Sequence, residues 1–191
     1  MFYKNTAVGK LGFQIVQPGV STDQLRYCRR AAFDVVGTLV EGESATAEMV
    51  SALHDLLRAL ADKKGALVFF SGSPIEDLRR KILDPLRSLA KNGYRGCMFE
   101  HLLVYASGGA NLIRFDSFGR EECEDSDFAR DLLEGQGAKV LALEDAAARY
   151  RVSLKEKEVV YTGDEFGVGG SDVDVFGVGS DLLVANVGTG V

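Results

Sequence analysis

Short apolar runs alternate with amphipathic stretches along most of this chain. The apolar runs predict strands, over residues 29–36, 66–73, 98–107, 158–164 and 181–188. Because several of these runs are apolar almost without interruption, they are typical of strands buried on both faces. The amphipathic stretches between them predict helices, over residues 45–63, 74–93, 125–135 and 138–153.

Residues 45–63 carry the clearest helical pattern, with five apolar side chains on one stripe: Met49, Leu53, Leu56, Leu57 and Leu60. We predict that Gly65 closes this helix at the C′ position. Pro85 should break or kink the next helix, because proline has no N–H to donate. Residues 108–121 predict a short hairpin, and residues 171–179 predict a short helical turn.

Strands that alternate with helices predict an α/β protein, with a three-layer, Rossmann-like parallel sheet covered by helices. Residues 1–29 mix glycine, threonine and Pro18 with one short alternating stretch. We interpret them as an irregular arm or an edge element, and residues 30–191 as a single α/β domain. The length of 191 residues, with 46% hydrophobic and 26% charged side chains, suits one domain with a sizeable core.

Charge and cysteine usage narrow the class of protein. The formal net charge is −6 and no long basic run occurs, so nucleic-acid binding is not indicated. No apolar run approaches the roughly 18 residues of a membrane helix, and the N-terminus lacks the apolar core of a signal peptide. The three cysteines have no zinc-site spacing, which favours reduced thiols. We therefore expect a cytoplasmic protein without a membrane partner.

Polar side chains stand at the ends of three predicted strands. The first strand ends at Asp34, the second at Ser71 and Ser73, and the fourth at Asp164. Ligands of an open parallel sheet bind beyond the carboxyl ends of its strands, so these side chains are expected to gather on one rim. Two carboxylates brought together repel unless a cation lies between them, and Mg²⁺ prefers such oxygen ligands. Asp34 or Asp164 alone is about as commonly a helix cap or a loop residue, and Ser71 alone is more often a turn residue than a ligand.

Other binding motifs fit the sequence poorly. An EF-hand loop that started at Asp172 would have Phe176 where an oxygen ligand is needed. No Gly-Lys-Ser/Thr follows a glycine-rich turn, which excludes a Walker A loop. The two histidines, His54 and His101, lie within an amphipathic helix and an apolar strand, so both are interpreted as structural or solvated.

Four short motifs stand in order along the chain. The first is FDVVGTL, with Asp34, and the second is FFSGSP, with Ser71. The third is the helix before the Gly-Asp pair at residues 163–164, and the fourth is that pair, with Asp164, followed by Asp172 in GGSDVDVF. Together they resemble the motifs of the haloacid dehalogenase (HAD) superfamily of hydrolases, and this resemblance selects Lys139 in the third. It covers residues 30–190 and is closest to the Cof-type and phosphomannomutase-like branch.

The resemblance implies a Mg²⁺-dependent phosphatase. Asp34 would attack phosphorus and form an aspartyl-phosphate, while Ser71 and Lys139 would contact the phosphoryl oxygens. The implied metal ligands are oxygens of Asp34, Asp164 and Asp172 and the backbone carbonyl of Val36. The implied partner is a phosphorylated substrate.

Two departures from the family pattern qualify this function. The second aspartate of the first motif, which protonates the leaving group and activates water, is Val36 here. Losing such a group costs on the order of 10²- to 10⁴-fold in rate. Only a short insertion around residues 108–137 stands where relatives carry a cap domain. A small cap suits a large substrate, a lid borrowed from a second subunit, or a degenerate site. The alternative function is therefore a non-catalytic HAD-like domain that binds metal, phosphate or a protein.

Overall fold

A computed structural model describes residues 14–15, 30–40, 42–91, 96–125, 138–149, 159–163 and 183–186. The helix predicted over residues 125–135 lies outside these ranges, apart from Asp125, which ends a strand. The helical turn predicted over residues 171–179 also lies outside them. Within the described part of the chain, no helix is long and apolar enough to span a membrane.

One mixed sheet of eight strands organises the described residues. The strands are β1 (Gln14–Ile15), β2 (Arg30–Asp34), β3 (Ala66–Phe70), β4 (Leu102–Ala106), β5 (Asn111–Phe115), β6 (Glu121–Asp125), β7 (Val159–Gly163) and β8 (Leu183–Asn186). Their order is β1-β8-β7-β2-β3-β4-β5-β6. The five strands from β8 to β4 are parallel, whereas β1, β5 and β6 are antiparallel to their neighbours.

Helices cover both faces of the sheet, which confirms the predicted three-layer α/β fold. They are α1 (Ala47–Asp62), α2 (Ile75–Leu78), a π-helix (Arg79–Leu83), α3 (Asp84–Lys91) and α4 (Ala138–Arg149). On one face, Phe33 and Phe69 pack in a core with leucines of α1 and the helices after β3. On the other face, Phe70, Tyr105 and Tyr161 pack with apolar residues of α4. Strands β3 and β4 are buried along their whole length, as the continuous apolar runs predict.

Helix α1 begins and ends with recognisable caps. The Thr46 side chain accepts a hydrogen bond from the Met49 N–H at 3.2 Å. At the other end, the Gly65 N–H donates to the Leu60 carbonyl at 2.7 Å and the Lys64 N–H to the Ala61 carbonyl at 2.9 Å. This is a Schellman motif with Lys64, at φ 55°, in the left-handed C′ position. The prediction that Gly65 takes that position was wrong by one residue.

Pro85 is accommodated by a π-helix and a tertiary hydrogen bond. The Asp84 N–H donates to the Arg79 carbonyl, five residues back, which defines the π-helical turn. Proline at position 85 supplies no N–H to the Lys81 carbonyl four residues earlier. That carbonyl accepts instead from the Ala45 N–H at 2.8 Å, just before α1. The predicted irregularity is therefore a bulge that also fixes the start of α1.

The region before β4 differs from its prediction. Residues 98–101, predicted as strand, belong to a 3-10 helix over Gly96–His101 that precedes β4. Met98 and Phe99 are buried in the core from this helix. A short apolar run cannot be assigned to strand or helix by its pattern alone, which explains the error. The predicted hairpin is confirmed as β5 and β6.

Candidate functional site

The site lies at the carboxyl edge of the parallel strands. β2 ends at Asp34, which pairs in register with Phe70, the last residue of β3. Ser71 follows Phe70 directly, so Asp34 and Ser71 lie at the ends of adjacent strands. β7 ends at Gly163 on the same edge. Asp164 follows Gly163 in the sequence, and both Asp164 and Asp172 lie outside the described residues.

Asp34 and Lys139 form an ion pair at this edge. The Lys139 Nζ lies 3.0 Å from the Asp34 Oδ1, and both side chains are largely buried, at 15% and 10% exposure. Lys139 stands in the first turn of α4, whereas Asp34 ends the central strand β2. A buried carboxylate without a cation would carry a large desolvation cost. The pair therefore holds a charged carboxylate and an ammonium group together at the rim.

A tight turn follows Asp34 and presents Val36 to solvent. The N–H groups of Leu39 and Val40 both donate to the Val35 carbonyl at 2.9 Å. The Gly37 N–H donates to the Val40 carbonyl at 3.0 Å. Gly37 adopts φ 89°, a left-handed conformation that favours glycine. The turn leaves Val36 42% exposed, beside two residues, Leu39 and Val40, that are buried. Its side chain therefore faces open space near Asp34 rather than the core.

Ser71 is held in place by a network of hydrogen bonds between two loops. Its Oγ accepts from the Ser73 N–H at 3.1 Å, and its side chain is buried. The Ser71 N–H donates to the Tyr105 carbonyl at 2.9 Å, the Gly108 N–H to the Ser71 carbonyl at 3.0 Å, and the Ser107 N–H to the Ser73 carbonyl at 2.9 Å. Ser107 is held at φ 53°, which is uncommon for a residue other than glycine. The loops after β3 and β4 therefore form one unit.

The structure also brings together residues that the sequence reasoning missed. The Tyr105 hydroxyl donates to the Asp145 Oδ2 at 2.6 Å, and the Arg149 Nε donates to the same oxygen at 2.6 Å. Burial, with the bond to Asp145, raises the pKa of Tyr105 well above its ordinary value, so the hydroxyl remains a donor. A tyrosine in an apolar strand and an aspartate in an amphipathic helix give no signal of this contact in the sequence.

The described residues include only part of the predicted metal ligands. Asp34 and Val36 are separated by one residue of the tight turn, so a carboxylate and a backbone carbonyl are available there. Among the residues that the structure describes, no three or more His, Cys, Asp or Glu side chains cluster as metal ligands. Oxygen donors of this kind suit Mg²⁺.

Comparison with known proteins identifies the fold. No protein-family model matches the sequence, and no curated protein shows significant similarity to it. The N-terminally truncated IMP-nucleotidase of Plasmodium falciparum is 12% identical, with a TM-score of 0.53 over 82% of this chain and 65% of that one. Its C-terminally truncated form is 12% identical, with a TM-score of 0.51 over 86% of this chain and 70% of that one. A HAD-superfamily phosphatase of Bacteroides thetaiotaomicron is 14% identical, with a TM-score of 0.46 over 85% of each chain.

The protein therefore shares its α/β fold with the IMP-nucleotidase structures of Plasmodium falciparum. At these identities the likeness concerns the fold alone. The chain also spans less than two thirds of the length of the first nucleotidase structure that it matches.

Proposed function

We propose that this protein is a Mg²⁺-dependent phosphoric monoester hydrolase that acts through an aspartyl-phosphate on Asp34. The observation that carries the proposal is the buried ion pair between Asp34 and Lys139 at the carboxyl edge of the sheet, 3.0 Å long. A nucleophilic carboxylate needs a cation beside it, because the phosphoryl group brings further negative charge to the same place. Lys139 is placed to supply that cation.

The reaction follows from these groups. An oxygen of Asp34 attacks phosphorus and the bond from phosphorus to the ester oxygen breaks. The leaving oxygen keeps the bonding electron pair and takes a proton from solvent water, because Val36 has none to give. The ammonium of Lys139 and the hydroxyl of Ser71 would hold the phosphoryl oxygens during this transfer. Water then attacks phosphorus, which releases inorganic phosphate and regenerates the Asp34 carboxylate.

The metal site of this proposal has only oxygen donors. Asp34, the carbonyl of Val36 and Asp164 would hold Mg²⁺, with Asp172 as a further carboxylate. When bound, the ion neutralises charge on the nucleophile and the phosphoryl group.

Val36 sets the substrate range of the proposed enzyme. Valine has no proton to give to a leaving oxygen and cannot activate water. Substrates with good leaving groups, such as acyl phosphates, need protonation least. The exposure of Val36, at 42%, also suits phosphorylated substrates that are large. We propose a cytoplasmic location, in keeping with the cysteine spacing.

A second candidate function is a non-catalytic domain that binds phosphate, metal or a protein. The valine at position 36 favours it, because the acid-base residue of the first motif is absent. The buried Asp34–Lys139 pair would then serve binding or stability alone.

A hydrolysis screen with and without Mg²⁺ separates the two functions. The panel contains an acyl phosphate, a sugar phosphate, an aryl phosphate, a nucleoside monophosphate and a phosphopeptide. We expect Mg²⁺-dependent release of phosphate, fastest with the acyl phosphate, and loss of that release in Asp34→Asn. The control is Glu122→Gln in β6, an exposed carboxylate near the hairpin tip at the amino edge of the parallel strands, which should keep full activity. Phosphate binding without hydrolysis by the folded wild type would favour the binding domain.

A further inference from the structure

Three side chains form a row across the face of the sheet that α4 covers. Asp34 pairs in register with Phe70, and Phe70 pairs with Tyr105, so all three project from the same face. The rings of Phe70 and Tyr105 stack with centroids 5.4 Å apart. Helix α4 contacts both ends of the row, through Lys139 on Asp34 and through Asp145 on the Tyr105 hydroxyl.

The two contacts join one helix to two different strands. Lys139 and Asp145 are six positions apart on α4, and Asp34 and Tyr105 stand on β2 and β4, with β3 between them. Both contacts are made in the same structure, so a shift of α4 that lengthened one contact would disturb the other.

The contact at the Tyr105 end is well defined. Tyr105 is fully buried, and its hydroxyl lies 2.6 Å from Asp145. Arg149, one turn later on α4, holds the same carboxylate oxygen at 2.6 Å and so restricts its orientation. Tyr105→Phe would remove the hydroxyl and leave the ring that stacks on Phe70. Asp145 would keep Arg149, so this change isolates the link between the strand and the helix.

We propose that Tyr105 is a positioning residue that acts through Asp145 to fix α4, so that the Lys139 ammonium lies against Asp34. The catalytic importance of this contact rests on the proposed function, because only there does Lys139 contact the phosphoryl group. The mechanical link itself does not depend on catalysis. A residue that merely filled the core would affect stability without affecting the Asp34–Lys139 contact.

Double-mutant cycles in urea unfolding test the link without an activity assay. Asp34→Asn, Lys139→Met and their combination give the coupling of this pair as a factor in the unfolding equilibrium constant. We expect the coupling factor between Asp34 and Lys139 to be several-fold in the wild-type background. In the background that carries Tyr105→Phe, the factor should be close to one. Asp145→Ala removes the same contact from the helix side and should act alike. Ile82→Val, buried in the core on the other face of the sheet, should lower stability and preserve the coupling.

Two outcomes of the cycles would overturn the proposal. One is a coupling that Tyr105→Phe and Asp145→Ala leave unchanged, and the other is the absence of coupling in the wild type.

A kinetic arm separates this proposal from the proposed function. With the acyl phosphate, Tyr105→Phe should lower kcat by about 10- to 100-fold, as expected when a reacting group is misplaced by about 1 Å. In the Lys139→Met background the same change should cause no further loss. Equal losses in both backgrounds would contradict positioning through Lys139. A wild type without any hydrolysis would instead contradict the proposed function, and the unfolding cycles would still decide the link.

Discussion

Val36 is the residue that should most limit the proposed hydrolysis. It lies two positions after Asp34, in a turn whose hydrogen bonds are made by backbone groups. Its side chain is 42% exposed, so a carboxyl group at this position would remain solvated. The cost of burying an unpaired carboxyl therefore does not arise here. The backbone can accept a different side chain without a change in the fold.

Val36→Asp should accelerate the proposed reaction. The new carboxyl can protonate a leaving oxygen and then activate water, so kcat/KM for alkyl phosphates should rise by up to about 100-fold. The gain should be smallest for acyl phosphates. Val36→Asn is the matched control, since it has nearly the same shape but no titratable proton, and it should give no gain. Equal rates for Val36→Asp and Val36→Asn would show that the proton is not what the site lacks.

Among the elements, the turn after β4 stores backbone strain beside the site. Ser107 has φ 53°, and its N–H is bonded to the loop that carries Ser71 and Ser73. Lys64, at φ 55°, adopts a similar conformation at the end of α1 but has no part in the site. The two residues therefore offer the same backbone strain in different surroundings. Strain beside a candidate site suggests a functional constraint.

Glycine substitutions at Ser107 and Lys64 should separate the effect of backbone strain on stability from its effect on activity. Both Ser107→Gly and Lys64→Gly remove a left-handed side chain, and each should raise the free energy of unfolding by up to about 1 kcal/mol. Only Ser107→Gly should lower kcat/KM, because it loosens the turn that holds Ser71. Urea unfolding and the hydrolysis assay measure the two effects. If Ser107→Gly keeps full activity, the strained turn serves no function at the site.

The elements also show what the sequence could predict. The strands around Asp34 and Ser71, the helix at residues 45–63 and the hairpin follow from local patterns. Burial on one face leaves a period in the sequence, and burial on both faces leaves an unbroken apolar run. The C′ position of α1 and the 3-10 helix before β4 depend on where a helix stops and on tertiary packing. At Pro85 the sequence predicts only a break or a kink. The form of the bulge depends on the Lys81 carbonyl, which accepts a hydrogen bond from the Ala45 N–H, far away in the sequence.

The candidate site was accessible to the sequence only in part. The strand-end pattern indicates Asp34 and Ser71, and the structure places both at the carboxyl edge of adjacent strands. Lys139 came from the family resemblance, because a lysine at the start of a helix has no distinctive local pattern. Tyr105 and Asp145 were missed, since their contact joins a strand and a helix that no periodicity relates. Their roles, and that of Lys139, stay predictions.

At the scale of the whole molecule, the hairpin extends the sheet and its tip lies far from the site. β5 runs antiparallel to β4, so the hairpin tip lies at the amino edge of the parallel strands. Phe118 at this tip is 76% exposed, and the Arg120 guanidinium lies 5.1 Å from the centre of its ring. The described part of the insertion around residues 108–137 is therefore sheet, and α4 follows it with Lys139 in its first turn.

The proposed mechanism requires that Asp34 becomes phosphorylated during turnover. Val36 cannot activate the water that hydrolyses an aspartyl-phosphate, so this intermediate should accumulate when an acyl phosphate is supplied with Mg²⁺. Mass spectrometry after rapid acid quenching measures it directly. We predict one phosphoryl group on the peptide that contains Asp34, none in Asp34→Asn, and a lower steady-state amount in Val36→Asp. A folded wild type that stays unmodified at Asp34, or that is phosphorylated at another residue, would contradict this mechanism.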